Sequence, residues 1–215
     1  MIFLSLKTYK EATGDAVIKL LSSVKKISEE TGVRIISVAQ PTDIYRIKKE
    51  LGIEVWAQHM DPIDPGKNMG WLSPYSLKAA GATGVVINHS EHKVSDEIIK
   101  QTLEKAKQYN LQTLLIGHNV DMVLSFASWG PDYLSYERED MVGGGVSMLT
   151  EEVDHVKRLV SELKIPLIIG AGVSTWEDIK SALALGAKGA ILASAFTLAA
   201  DPEAKLRELA GAFKI

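Results

Sequence analysis

The stretch GVVINHSEHKVSDEIIKQTLEKAKQYNLQTLLIG, residues 84–117, decides the fold class. It opens with an apolar run, 84–88, and closes with a second one, 112–117. Between them, DEIIKQTLEKAKQ has its apolar residues at helical spacing. Unbroken apolar runs are typical of strands that are buried on both faces of a parallel sheet. The stretch therefore predicts a strand, a crossover helix and a parallel strand.

The same alternation extends along the whole chain. Runs rich in Val, Ile and Leu occur at 2–6, 34–40, 54–58, 84–88, 112–117, 132–137, 166–170 and 189–194. Eight such runs with short connections predict a closed (β/α)8 barrel, the TIM-barrel fold, as one α/β domain over residues 1–215. An open, doubly wound sheet is the alternative that this pattern leaves open.

Two helical signals support this interpretation. One apolar stripe consists of Val17, Leu20, Leu21, Val24 and Ile27. Asp201 followed by Pro202 is typical of a helix start, with the aspartate as the cap.

Composition limits the possible partners. The chain is 46% hydrophobic and 24% charged, a balance typical of soluble globular proteins. A net charge of −3 gives no general attraction to nucleic acid or to anionic lipid. There is no cysteine, which excludes disulfides and thiolate metal sites. With no signal-peptide core and no run of membrane-spanning length, we expect a cytoplasmic protein that binds neither nucleic acid nor membrane.

Reactive side chains follow three of the predicted strands. Lys7 follows the first, His89 and Glu91 follow the fourth, and Glu137 ends the sixth. Because the carboxyl ends of barrel strands share one face, we expect these side chains to converge there. Each residue alone also fits a solvated charge or a structural hydrogen bond. Their joint occurrence favours a catalytic site.

The residue types indicate a proton transfer. Glu137, once removed from water, would be basic enough to take a proton from carbon beside a carbonyl. His89 could donate a hydrogen bond to the carbonyl oxygen, and Lys7 would supply positive charge. Glu91 could orient Lys7 or carry a proton, and a plain ion pair is equally compatible with its position.

The last two predicted strands end in small residues. GAGVST (170–175) and ASAF (193–196) can bring backbone N–H groups close to an anion. Phosphate sites of β/α barrels commonly follow these two strands. The other histidines, His59, His92, His118 and His155, show no such arrangement, and a surface role is expected for His155.

Several motifs resemble one family. They are residues 6–14, 38–44, 56–62, 87–92, 136–137, 170–175 and 191–202. Together they resemble the triosephosphate isomerases, in the short archaeal form. The resemblance implies interconversion of dihydroxyacetone phosphate and D-glyceraldehyde 3-phosphate through an enediolate, with no metal and no organic cofactor. It also implies a homodimer or homotetramer.

The resemblance also implies residue roles. Lys7 matches the substrate-binding, electrostatic lysine, His89 the electrophile acting as neutral imidazole, and Glu137 the base. Phosphate-contacting backbone positions match Val142, Gly172, Ala193 and Ser194. Residues 138–145 match a lid.

Four positions depart from the family pattern. Ser5 replaces a substrate-binding asparagine, Met69 an interface threonine, Arg138 a proline, and Ala195 a glycine. Both Ser5 and Met69 fall at the same expected subunit contact, so the interface is expected to be rebuilt or lost, and a monomer is the alternative that these two positions leave open. These changes keep open a phosphate-binding barrel with lost or very low isomerase activity. A barrel enzyme for another sugar phosphate fits the motifs less well.

Overall fold

Eight parallel strands close into a barrel in this computed structural model, which describes residues 1–138 and 152–214. The strands are β1 (Ile2–Ser5), β2 (Ile35–Ala39), β3 (Val55–Ala57), β4 (Gly84–Ile87), β5 (Gln112–Gly117), β6 (Tyr133–Tyr136), β7 (Leu167–Ile169) and β8 (Gly189–Leu192). Each strand pairs with its neighbour in sequence, and β8 pairs with β1. The predicted barrel is therefore confirmed over the open sheet.

Helices surround the barrel in the part of the chain that the structure describes. They are α1 (Asp15–Leu21), α2 (Val24–Thr31), α3 (Pro41–Leu51), α4 (Pro74–Ala79), α5 (Asp96–Gln108), α6 (Val120–Ala127), α7 (Val153–Glu162), α8 (Trp176–Ala184), α9 (Ser194–Thr197) and α10 (Pro202–Gly211). A short 3-10 helix covers Lys10–Ala12. No helix within 1–138 or 152–214 has both the length and the apolar character needed to cross a membrane.

The two helical signals in the sequence have different outcomes. The Asp201 side chain accepts a hydrogen bond from the backbone of Ala204 at 3.0 Å, so the predicted cap is confirmed. The stripe from Val17 to Ile27 is buried but lies on two helices, α1 and α2, instead of one. The Ser22 hydroxyl donates to the carbonyl of Lys19 at 2.8 Å, a local bond that competes with helix continuation.

The core has two layers. A large outer cluster fills the space between strands and helices. A smaller cluster fills the barrel itself and consists of Phe3, Ile36, Val38, Trp56, Val86, Leu114, Ile116, Tyr133, Ile168 and Ile191. Trp56 is fully buried there, and its ring occupies the space beside Gly84, where a Cβ atom would lie 2.3 Å from the ring. The interior is thus packed with side chains and leaves room for a ligand only at its ends.

A polar network occupies the amino-terminal end of the barrel. Arg34 donates to both carboxylate oxygens of Glu54, at 2.9 and 2.6 Å. It also donates to Gln112 Oε1 at 2.5 Å and to the hydroxyl of Tyr133 at 2.8 Å. Side chains therefore occupy this end of the barrel.

Candidate active site

A cavity of about 150 Å³ lies at the carboxyl ends of the strands. It is lined by Ser5, Lys7, Tyr9, His89, Glu137, Ala171, Gly172, Val173, Ser174, Ile191, Leu192, Ala193, Ser194 and Ala195. The structure therefore brings Lys7, His89 and Glu137 to one cavity, together with Ser5, Gly172, Ala193 and Ser194. Glu91 lies beside it and contacts Lys7. Val142, like residues 139–145 of the predicted lid, lies outside the described residues.

Glu137 is held at the end of β6 with its carboxylate inside the barrel. Its backbone N–H donates to the carbonyl of Gly117 at 3.1 Å, and its side chain is 3% exposed. Burial raises the pKa of Glu137 to about 7, while the positive charge of Lys7 and the hydroxyl of Ser135 act in the opposite direction. The residue can therefore gain and lose a proton near neutral pH.

His89 is fixed by the residue before it. Asn88 adopts a left-handed conformation with φ of 64°, and its side chain donates to the carbonyl of Ile116 at 3.0 Å. The backbone N–H of Glu91 donates to Nδ1 of His89 at 3.1 Å. Nδ1 is therefore an acceptor, so the imidazole is neutral and its proton is on Nε2. Burial and Lys7 both lower the pKa of His89, which favours the same neutral form.

The protonated Nε2 of His89 faces Glu137. It lies 3.7 Å from Glu137 Oε2. This distance is longer than a hydrogen bond, and the two groups lie side by side in the lining of the same cavity. A hydrogen-bond donor and a carboxylate that lie side by side at one cavity suit a carbonyl oxygen and the neighbouring C–H of a single substrate.

Lys7 is held in a strained backbone conformation with φ of 45°. The side-chain amide of Gln58 donates to its carbonyl at 2.8 Å. Its ammonium donates to Glu91 Oε1 at 2.6 Å, and the Lys7 and Glu91 side chains are 19% and 58% exposed. The contact suits the predicted orienting function of Glu91, and the function itself stays a prediction.

The ends of β7 and β8 form the opposite wall of the cavity. Ala171 and Gly172 are both left-handed, with φ of 62° and 71°. Two consecutive left-handed residues make a tight turn, and successive backbone N–H groups in a turn can bind an anion. Ala193 and Ser194 lie where β8 passes into α9, and they line the same cavity.

Gly170 is a site residue that the sequence interpretation missed. It was grouped with the anion-binding turn, but its contact is with the Glu137 side chain. A Cβ atom at this position would lie 2.2 Å from Glu137 Oε1 and 2.3 Å from its Cγ. Glycine is therefore required at 170 to make room for the Glu137 carboxylate. No local sequence signal could show this, because the contact depends on how β6 and β7 pair.

Two histidines that the sequence did not assign to the site, His59 and His92, lie close to it and contact each other. The rings of His59 and His92 stack with centroids 4.2 Å apart, and His59 Nε2 lies 3.2 Å from Asp61 Oδ1. They border a second cavity of about 240 Å³ that shares Lys7 and His89 with the first.

Comparisons with known proteins identify the family. A triosephosphate isomerase family model matches residues 1–121. The triosephosphate isomerase of Methanobacterium bryantii is 37% identical over 214 residues, covering 97% of this chain and 95% of the relative. That of Methanocaldococcus jannaschii is 34% identical, covering 97% and 98%. The chain belongs to the triosephosphate isomerase family.

Two further matches concern the scaffold. The triosephosphate isomerase structure from Bartonella henselae superimposes with a TM-score of 0.75 at 19% identity, covering 99% of both chains, which supports the barrel fold. A nitronate monooxygenase family model matches residues 76–209. That range leaves out Lys7 and the first three strands, whereas the isomerase relatives align with nearly the whole chain. The isomerase assignment therefore stands.

The buried Glu137 carboxyl makes the stability of this isomerase depend on pH. With its folded-state pKa at about 7 and an ordinary value of 4.5, the folded protein keeps a proton that the unfolded chain releases between those values. Its contribution to stability is complete below about pH 4.5 and is lost as pH rises through about 7. The loss amounts to about 3 kcal/mol.

We predict that Glu137→Gln removes this loss, because the amide has the same shape and no charge. Urea unfolding at pH 4.5 and at pH 8 measures the change. Relative to the parent protein, the variant should gain about 3 kcal/mol of unfolding free energy between the two pH values. Parallel pH dependence in the two proteins would contradict the buried-carboxylate assignment.

We also predict that Gly170→Ala inactivates the enzyme by displacing the Glu137 carboxylate. Isomerase kcat should fall roughly 100-fold, as expected for a misplacement of about 1 Å. The control is Gly211→Ala in α10, where a Cβ atom would come no closer than 3.6 Å to another residue. That control should keep full turnover, and full turnover in Gly170→Ala would disprove the contact.

Proposed function

We propose that this protein interconverts dihydroxyacetone phosphate and D-glyceraldehyde 3-phosphate. The observation that carries the proposal is the adjacent pair of Glu137 and His89 at one small cavity, with the small residues at the ends of β7 and β8 beside them. In this family the substrate is small enough for such a volume. The roles proposed for Glu137, His89 and Lys7 are those that membership of the family implies for these positions.

Glu137 acts as the base. Its carboxylate takes a proton from the carbon beside the substrate carbonyl, and the electron pair of that C–H bond moves to form the enediolate. The resulting carboxylic acid returns the proton to the neighbouring carbon, while a hydroxyl proton passes between the two substrate oxygens. A pKa of about 7 lets the same group accept and release the proton at neutral pH.

His89 and Lys7 stabilise the enediolate. Neutral His89 donates from Nε2 to the oxygen that gains negative charge, and Lys7, oriented by Glu91, provides positive charge nearby. Backbone N–H groups at Gly172, Ala193 and Ser194 hold the phosphate, with Val142 as a further predicted contact. Ser5 lines the cavity at the position where the family has asparagine.

A coupled assay with glyceraldehyde 3-phosphate tests this function. We expect turnover by the parent protein and a loss of about 100-fold or more in kcat for Glu137→Gln, since the described lining of the cavity holds no second carboxylate. His89→Ala should lower kcat by about 100-fold through the lost donor. Calorimetric binding of a triose phosphate without any turnover would favour a binding barrel that has lost the activity.

We also propose a cytoplasmic homo-oligomer. The absence of cysteine suits a reducing compartment. Met69 is 100% exposed and Trp71 57% exposed, both in the connection between β3 and α4. Large apolar side chains that project together from one loop suit burial against a second copy.

The oligomer is tested by light scattering at micromolar concentration. We expect a mass of at least twice 23.4 kDa for the parent chain. Met69→Lys should shift the equilibrium toward monomer, because a charge on the proposed contact would lose its hydration. A mass near that of one chain for the parent protein would contradict the proposal.

A further inference from the structure

A second buried carboxylate, Glu152, lies behind the base on the outer side of β6. Its Oε1 accepts a hydrogen bond from Arg138 Nη1 at 2.6 Å, and its Oε2 accepts one from the hydroxyl of Tyr136 at 2.9 Å. Nδ1 of His155 also contacts Oε2. The Glu152 side chain is 8% exposed, so these contacts are largely shielded from water. We call Glu152, Tyr136, Arg138 and His155 the outer cluster.

The outer cluster includes Tyr136 and Arg138, the two residues that flank Glu137 in the chain. Successive side chains of a strand point to opposite faces. Ser135 and Glu137 point inward, with the Ser135 hydroxyl 3.5 Å from Glu137 Oε1. Tyr136 and Arg138 point outward, and both donate to Glu152. One carboxylate therefore binds the residue before the base and the residue after it.

The outer cluster adds to what the sheet itself provides. The carbonyl of Tyr136 accepts from the N–H of Gly170 at 3.2 Å, and the N–H of Glu137 donates to Gly117 at 3.1 Å. These bonds fix the peptide on the amino-terminal side of Glu137. Strand β6 ends at Tyr136. Beyond Tyr136, Arg138 is restrained by its ion pair with Glu152, which lies fourteen positions later in the chain.

We propose that Glu152 is a positioning residue for the catalytic base, acting through Tyr136 and Arg138. The proposal rests on the isomerase function above. A proton transfer from carbon tolerates little displacement of the base, and a shift of about 1 Å can cost a factor of roughly 100 in rate. Holding both neighbours of Glu137 from one point restricts rotation of the strand end and so fixes the direction of its carboxylate.

The charge state of Glu152 suits such an anchor. Burial acts to raise the pKa of Glu152, but hydrogen bonds from Arg138, His155 and Tyr136 outweigh it and leave the pKa below its ordinary value. A buried carboxylate with several donors has a well-defined orientation. It also links β6 to the start of α7, because the carbonyl of Glu152 accepts from the N–H of Val156 at 3.0 Å.

Direct substrate binding by Arg138 is the rival explanation. The arginine lies next to the base, and a guanidinium is a good phosphate ligand. However, Arg138 lines the cleft outside the barrel with His118, Asp121 and Arg158, and it is absent from the described lining of the catalytic cavity. A phosphate ligand would change KM, whereas a positioning residue changes kcat.

Steady-state kinetics of Glu152→Gln and Arg138→Met test the proposal. Each variant should lower isomerase kcat about ten-fold, because the base is only partly displaced. The KM of each variant should stay within a factor of two of the parent value. The double variant should lose no more than either single one, because both act through the same ion pair. The matched control is Glu54→Gln, which breaks the Arg34–Glu54 pair at the opposite end of the barrel. This control should lower stability without lowering kcat.

A second measurement reads the base without turnover. In protein with ¹³C-labelled glutamate, NMR titration follows the carboxyl of Glu137, whose pKa is about 7 in the parent chain. Glu152→Gln should lower that pKa, since a displaced carboxylate regains contact with water, and Glu54→Gln should not.

An unchanged Glu137 titration and unchanged kcat in Glu152→Gln would overturn the proposal. A raised KM with unchanged kcat in Arg138→Met would overturn it in favour of phosphate binding. If the parent chain has no isomerase activity, the Glu137 titration separates the two claims. An unchanged Glu137 titration in Glu152→Gln would then reject both this proposal and the isomerase function. A lowered Glu137 pKa in that variant would reject the isomerase function alone.

Discussion

The burial of the Glu137 carboxylate is the constraint on which the rest of the site depends. A carboxylate that is 3% exposed lacks the hydration that would stabilise its charge, and its pKa rises to about 7 for that reason. The barrel tolerates this cost because its packing and its closed ladder of strands supply the remaining stability. Gly170 contributes by the absence of a side chain, which leaves the space that the carboxylate occupies.

Lys7 balances two opposite requirements. Its positive charge lowers the pKa of Glu137, which would weaken the base, and it also lowers the pKa of His89, which keeps the imidazole neutral. Glu91 opposes both effects through its ion pair with Lys7. Because Glu91 is more than half exposed, solvent screens its charge, and burial remains the dominant cause at both sites.

Much of this arrangement could be predicted from the sequence, because parallel strands impose a common direction. Once eight apolar runs were assigned to one barrel, residues that follow the strands had to share a face. That is why Lys7, His89 and Glu137 could be grouped across 130 positions. The helix start at Asp201 was predictable for a local reason, since a side chain capping its own helix requires no knowledge of the tertiary structure.

Other features depended on contacts that local patterns do not encode. The stripe between Val17 and Ile27 has an unbroken helical period, yet the structure has two helices there. Gly170 resembled an ordinary turn glycine until β6 and β7 were paired. His155 and Glu152 resembled a solvated pair on a helix, because their spacing of three fits a surface ion pair as well as it fits a shared anchor.

The departures from the family pattern acquire a physical meaning in this setting. A proline after the base would fix the backbone by its own ring, since proline restricts φ and also restricts the residue before it. Arg138 lacks that restriction, and its side chain provides a restraint of another kind through Glu152. Strand β6 thus carries a buried carboxylate with a raised pKa on its inner side and contacts one with a lowered pKa on its outer side. Among the described residues, Glu137 accepts a side-chain hydrogen bond from Ser135 at 3.5 Å, whereas Glu152 accepts from Arg138 and Tyr136 and also contacts His155. Because successive residues of β6 point to opposite faces, the proposed base lies on the inner face and its proposed anchor, Glu152, contacts the outer face.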